Sequence, residues 1–162
     1  MHIHISISDQ TLSLFDENNL VKKFAISTAK NGAGEEMDSE CTPRGKHIIT
    51  EKIGEDHEAN AVFVGRIATG ETYEPALRDQ HPQRDWILTR ILWLSGVEEG
   101  KNKGELEGMN LDSHDRYIYI HGSPDDVAMG QPGSRGCIRM KNSEIIELFD
   151  LIELGIEVNI CE

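Results

Sequence analysis

His121 and Cys137 are the residues of this 162-residue chain whose types and spacing offer chemistry. Between them runs G-S-P-D-D-V-A-M-G-Q-P-G-S-R-G, rich in residues that bend a chain and let its backbone approach a ligand. A cysteine attacks as thiolate, and at neutral pH an unperturbed thiol is mostly protonated, so a nucleophilic cysteine needs a base or a positive charge beside it. His121 can supply the base, and Arg135 and Arg139 flank Cys137. An ion pair with His121 and the local arginine field are both expected to lower the thiol pKa. The turn Ser134-Arg135-Gly136-Cys137 can aim the N–H groups of Gly136 and Cys137 at a developing oxyanion. Nucleophile, base and oxyanion donors then fall within the seventeen residues 121–137.

Other cysteine chemistries fit less well. The phosphatase-loop pattern calls for an arginine where this chain has Ser143, and papain-like enzymes place the cysteine early with its histidine far downstream. Cys41 and Cys161 read as structural thiols, since the three cysteines form no C-x-x-C pair for metal or redox work. His2 and His4 share one strand face, and Asp56-His57-Glu58 sits in a polar stretch; both read as solvent-facing groups, with no metal site and no cofactor expected.

The elements that must position the pair follow from hydrophobic period. Tyr117-Ile118-Tyr119-Ile120 alternates as a strand delivering His121. Ile3, Ile5 and Ile7 alternate with polar residues, and with Thr11–Phe15 and 20–28 they predict an N-terminal meander. Thr42-Pro43-Arg44-Gly45 is a turn feeding a strand over 47–52. The stretch 54–85, broken by glycine and proline around the apolar 61–64, reads as a substrate-side flap with a strand inside. The run 86–95 reads as a strand buried on both faces, with Trp86 and Trp93 as core anchors alongside Phe149. A helix is predicted over about 142–154, capped by Asn142 or Ser143 and stopped by Gly155, followed by a last strand at 156–160.

A chain of this length fits a single domain, 1–162, able to bury its own core. Its net charge of −13 argues against a nucleic-acid or anionic-membrane partner. No apolar run approaches membrane-spanning length, and the start lacks a basic then apolar leader. The expected location is the cytoplasm, or the periplasm were an export signal removed. Nothing in the pattern indicates an oligomeric state.

I-H-G-S-P followed by S-R-G-C-I-R-M resembles the L,D-transpeptidase catalytic domain, the YkuD or ErfK/YbiS type. Gln10–Leu14 is similar to that family's opening strand, Thr42–Gly45 to its T-P-x-G turn, and 142–160 to its terminal helix and strand. The resemblance implies a mainly β, two-sheet sandwich with one prominent helix. It implies Cys137 as nucleophile and His121 as base, oriented by a backbone carbonyl of Gly122 or Ser123. Gly136 and Cys137 match the oxyanion donors, while Ser134, Arg135 and Arg139 match positions facing the substrate, Arg139 being suited to bidentate capture of a carboxylate. Arg135 departs from the histidine usual there, which removes a titrating group but not a positive charge. The implied partner is a peptidoglycan tetrapeptide stem, cleaved before its terminal D-alanine through a thioester. Hydrolysis as an L,D-carboxypeptidase in murein recycling is the expected outcome, cross-linking by transpeptidation the alternative, and a silent murein-peptide binding module the reading from another class.

Overall fold

The computed structural model describes residues 1–162. Strands β1 (His2–Ser6), β2 (Thr11–Asp16) and β3 (Asn19–Ala25) form the expected meander, and the alternation of Ile3, Ile5, Leu12 and Leu14 puts all four fully inside. Then come β4 (Gly45–Ile53), the hairpin β5 (Ala61–Val64) and β6 (Ile67–Thr72), helix α1 (Pro75–Gln80) and β7 (Ile87–Gly96). A small ribbon, β8 (Glu105–Leu106) and β9 (Met109–Asn110), precedes β10 (Tyr119–Ser123), β11 (Ile138–Lys141), α2 (Asn142–Leu151) and β12 (Glu157–Cys161).

The mainly β, two-sheet architecture is observed, with ten strands in one sheet and two in the other. The large sheet runs β11-β10-β7-β4-β12-β1-β2-β3, with the β5–β6 hairpin added on β7. Beyond β3, Ser27 exchanges two hydrogen bonds with Arg139 of β11, at 3.0 and 2.9 Å, so the two ends of the sheet meet. The curled sheet encloses a core of 20 buried residues, into which α2 lays Ile145, Leu148 and Phe149. Full burial of each such side chain is worth roughly 1.5–3 kcal/mol, which is what holds the two ends together.

Four local expectations need correction. Strand β10 starts at Tyr119 rather than Tyr117, because Tyr117 is left-handed (φ 56°) and turns the chain. The helix ends at Leu151, not 154; Ile152 is already extended but still buried, and Gly155 (φ 82°) makes the next turn. Neither Asn142 nor Ser143 caps it; Lys141 is the N-cap and offers no side-chain bond, since the buried Asn142 amide is committed to Asn60 and Asp125 and its oxygen to Thr89. Trp86 and Trp93 lie outside the main core. Trp86 packs with Val62, Tyr73 and Leu88, whereas Trp93 packs with Phe63, Ile91 and Tyr119, against Cys137. The stretch 54–85 holds the hairpin and α1, whose Pro75 at the first turn needs no N–H partner.

His47 of β4 is fully buried between Gly45 O (3.0 Å from Nδ1) and Ser113 Oγ (2.8 Å from Nε2). Burial pushes it down to about 4. A histidine depressed below its unfolded value of about 6.5 contributes stability present above that value and lost as pH falls toward the folded pKa. The unfolding free energy should therefore drop by roughly 3 kcal/mol between pH 7 and 4 on this account. Denaturant titrations at both pH values, with His47→Gln as reference, check it; equal slopes in the two proteins would contradict it.

Candidate active site

Parallel pairing of β10 with β11 sets Ile120 beside Ile138 and His121 beside Arg139. Because side chains alternate along a strand, Ile120, Ile138 and Met140 enter the core while Tyr119 and His121 share the other face with Cys137 and Arg139. The two sequence-predicted reactive residues thus sit on one face, His121 on β10 and Cys137 in the bend just before β11, two residues ahead of Arg139, the partner of His121. Gly122 is required here: a Cβ would lie 2.6 Å from Leu88 O and 2.6 Å from Asn142 Oδ1. The β10–β7 register shifts at this point, with Thr89 left-handed (φ 74°).

His121 is fully buried, and its Nδ1 lies 2.7 Å from Gly122 O. A carbonyl only accepts, so Nδ1 carries the proton and Nε2 the lone pair. Nε2 is buried with no hydrogen-bond partner, a costly arrangement of about 1–3 kcal/mol that leaves an open acceptor. Burial lowers the imidazole pKa, outweighing the opposing influence of Asp85 and the Gly122 bond, so the ring is neutral near pH 7. Of the two base-orienting candidates, Gly122 supplies the carbonyl; Ser123 is buried with its hydroxyl unpartnered.

Cys137 is partly exposed as a residue, but its sulfur is packed against the Trp93–Tyr119 cluster. The Tyr119 N–H donates to Sγ at 3.3 Å, and the thiol donates to Tyr117 O at 3.3 Å. No hydrogen bond joins it to His121. Burial pushes the thiol up to about 12, with Asp85 adding to the rise and the Tyr119 N–H, Arg139 and Arg116 opposing it. This reverses the expected lowering of the thiol pKa: desolvation outweighs the arginine field. Both shifts favour thiol and neutral imidazole over an ion pair at rest.

The Cys137 N–H makes no hydrogen bond within the protein, whereas the Gly136 N–H donates to Ser134 Oγ at 3.2 Å. Gly136 is left-handed (φ 134°), which a side chain would strain. Ser134 is buried and structural: its hydroxyl donates to Cys137 O at 2.5 Å, closing the turn, so it does not face a substrate as the sequence suggested. Thr42 holds this turn from the T-P-R-G segment, donating to Gly136 O at 2.8 Å and accepting from Ala29 N–H at 2.9 Å. Thr42→Val strands both buried groups, and should cost about 2–4 kcal/mol of stability and loosen the turn. Thermal unfolding checks this; an unchanged midpoint would contradict it.

Arg139 is mostly buried and binds Asp85 Oδ1 at 3.0 Å and Gly133 O at 3.0 Å. Arg135 is exposed, its one side-chain hydrogen bond being to Gln83 O at 3.4 Å. Asp85, the Tyr117 carbonyl, the Tyr119 N–H and Thr42 belong to the site without having been singled out as site residues. Only Thr42 carried a signal, its turn motif. Arg66, at the β5–β6 turn, donates to Tyr119 OH at 2.9 Å and lies 4.3 Å over the Trp93 ring, so the hairpin reaches the face that carries the thiol.

The same fold is found in solved structures. The catalytic domain of Enterococcus faecium L,D-transpeptidase acylated by ertapenem superposes with TM-score 0.54 at 17% identity, covering 99% of this chain and 95% of that one. Mycobacterium tuberculosis L,D-transpeptidase 3, in complex with a faropenem-derived adduct, gives 0.58 at 16%, covering 99% and 59%. The L,D-transpeptidase from Mycobacterium smegmatis gives 0.56 at 16%, covering 99% and 58%. At these identities the likeness establishes the fold. YqjB of Bacillus subtilis (strain 168) is 39% identical over 56 residues, 34% of this chain and 32% of that protein, so the matched segment is about a third of either. The family model described as the L,D-transpeptidase catalytic domain, YkuD, matches residues 1–160, and the chain belongs to that family.

Proposed function

We propose that this protein takes the acyl group of a peptidoglycan tetrapeptide stem onto Cys137, expels the terminal D-alanine, and passes the acyl group to water. The observation that carries the reading is the His121 ring: held by Gly122 O in the tautomer with a free, unpartnered Nε2, on the face that bears the thiol. Family membership supports the substrate class.

In the first step the S–H turns from Tyr117 O toward Nε2, the sulfur attacks the carbonyl carbon before D-alanine, and the proton passes to His121. Charge develops on the substrate oxygen, opposite the free Cys137 N–H; the Gly136 N–H joins it if Ser134 Oγ gives it up. The C–N bond then breaks, Nε2–H protonates the leaving amine, and the thioester remains. Water attacks with His121 again as base, and the sulfur leaves as thiol.

An amine of a second stem is the alternative acceptor, and one observation favours it. A cleft of about 240 Å³ next to Tyr117 is lined by three acids, Asp38, Glu40 and Asp115, against two arginines, Arg116 and Arg135, an excess of one negative charge that attracts an ammonium. Incubating the protein with disaccharide-tetrapeptide and following products by mass tests both readings. Loss of D-alanine supports hydrolysis and a cross-linked dimer supports transpeptidation. Unchanged substrate that nevertheless binds would leave a non-catalytic binding module.

A further inference from the structure

Gly122, whose carbonyl holds His121, lies where the β10–β7 ladder breaks. His121 pairs with Ile91 and Gly122 with Leu88, so Thr89 and Arg90 of β7 bulge out with no partner on β10. Thr89 is left-handed (φ 74°) and fully buried. That conformation is strained for a β-branched residue and persists only where the surroundings hold it. What holds it here is polar. Thr89 Oγ1 accepts from the Asn60 N–H at 3.0 Å and donates to Asn142 Oδ1 at 2.5 Å. The Asn142 amide donates in turn to Asn60 Oδ1 at 2.8 Å and to Asp125 Oδ1 at 3.3 Å. Asn142 is 4% exposed, and both of its amide hydrogens and its oxygen are engaged.

This network joins four segments: the residue before β5, the β7 bulge, the start of the 121–137 loop at Asp125, and the first residue of α2. It also stands against Gly122. The Cβ that this glycine lacks would lie 2.6 Å from Asn142 Oδ1 and 3.0 Å from Thr89 Cβ, with Leu88 O at 2.6 Å, so the glycine is wedged between β7 and the first turn of α2. His121 itself bonds to Gly122 O, at 2.7 Å from Nδ1, and to none of the network's side chains. Anything the network does to the ring passes through that carbonyl.

We infer that Asn142 and Thr89 are positioning residues for the base: they fix the Gly122 carbonyl so that His121 keeps its proton on Nδ1 and its lone pair on Nε2. An imidazole released from that carbonyl is free to carry its proton on Nε2, which is then a donor and cannot take the thiol proton. The inference rests on the acyl-transfer reading for what the tautomer accomplishes, but not for what holds it.

The tautomer is read on the resting protein, without substrate, from the ring-nitrogen NMR shifts of His121 at a pH of about 8, above the ordinary histidine pKa of about 6.5. The wild-type ring should show one protonated and one bare nitrogen. Asn142→Leu, close in shape but without polar atoms, should draw the two shifts together as both tautomers become populated. Its kcat for D-alanine release should fall about 10²-fold with KM within about twofold, as a displaced group that binds no substrate predicts. Thr89→Gly removes the hydroxyl in a residue to which the left-handed backbone comes without strain, so it should fold and show the same two effects. Thr89→Ser, which keeps the hydroxyl, should restore the wild-type shifts and most of the rate. Wild-type shifts in either folded variant, a rate that falls while the shifts stay put, or unfolding of both Asn142→Leu and Thr89→Gly overturns the inference. If the shifts respond as expected while the wild-type protein releases no D-alanine, acyl transfer fails and the positioning stands. If D-alanine is released while the shifts do not respond, the positioning fails instead.

Discussion

Cys137→Ala is expected to bring D-alanine release from the stem tetrapeptide down to the uncatalysed level, a loss of at least roughly 10⁴-fold. The sulfur is the one group on this face that can carry the acyl intermediate, so no conservative route around it remains. The fold should survive. The side chain is partly exposed and sits at the margin of the Phe63–Ile91–Trp93–Tyr119 cluster, and what it forfeits is a pair of 3.3 Å hydrogen bonds to the Tyr117 carbonyl and the Tyr119 N–H. Losing them costs about 1 kcal/mol, a shift of a few degrees in melting temperature. Chromatographic assay of released D-alanine together with thermal unfolding checks both halves. Turnover that persists would move the nucleophile elsewhere, with Cys41 and Cys161 as the remaining thiols.

His121→Gln is expected to lower the rate by roughly 10²–10⁴-fold and to change the shape of its pH dependence. In the wild-type protein burial sets the folded pKa of His121 below the ordinary 6.5. The working form is the neutral one, so activity should be level near pH 7 and fall as pH drops through that lowered value. With the thiol held up to about 12, the wild-type protein gains nothing from thiolate at neutral pH, and its rate depends on the imidazole. Without the base, residual activity has to come from the small thiolate fraction and should climb steadily as pH rises. Rate profiles of both proteins between pH 5 and 10, an interval chosen to bracket about 6.5, make the comparison. A variant that keeps the wild-type acid limb would mean that another group is the base.

Much of this site is legible in the sequence because strand period alone decides which residues share a face. His121, Cys137 and Arg139 fall on one side of the β10–β11 pair for the same reason that Ile120, Ile138 and Met140 fall on the other. The N-terminal alternation of isoleucines likewise reads directly as β1 in the core. What a single strand pattern cannot tell is which of two cores each face enters. The run around β7 is apolar throughout, yet Leu92 and Leu94 join the main core while Ile91 and Trp93 join the cluster under the thiol. The same limit explains the thiol. Sequence places Arg135 and Arg139 beside Cys137, but it does not show that Asp85 neutralises Arg139 or that packing strips water from the sulfur. Those two facts reverse the direction of the pKa shift. Ser134 misled for a related reason: a hydroxyl next to a nucleophile looks available, and only the turn geometry shows it bound to Cys137 O and to the Gly136 N–H.

A thiol kept protonated at rest and a base with one open nitrogen make a pair that acts only once a substrate carbonyl arrives. The most direct test is intact-protein mass spectrometry of the wild-type protein quenched in acid after brief mixing with stem tetrapeptide, followed by peptide mapping. The account predicts an adduct equal to the tetrapeptide less D-alanine, carried on the peptide that contains Cys137 and discharged when the sample is left to turn over. Release of D-alanine with no adduct at any quench time, or an adduct mapped to Cys41 or Cys161, would contradict it.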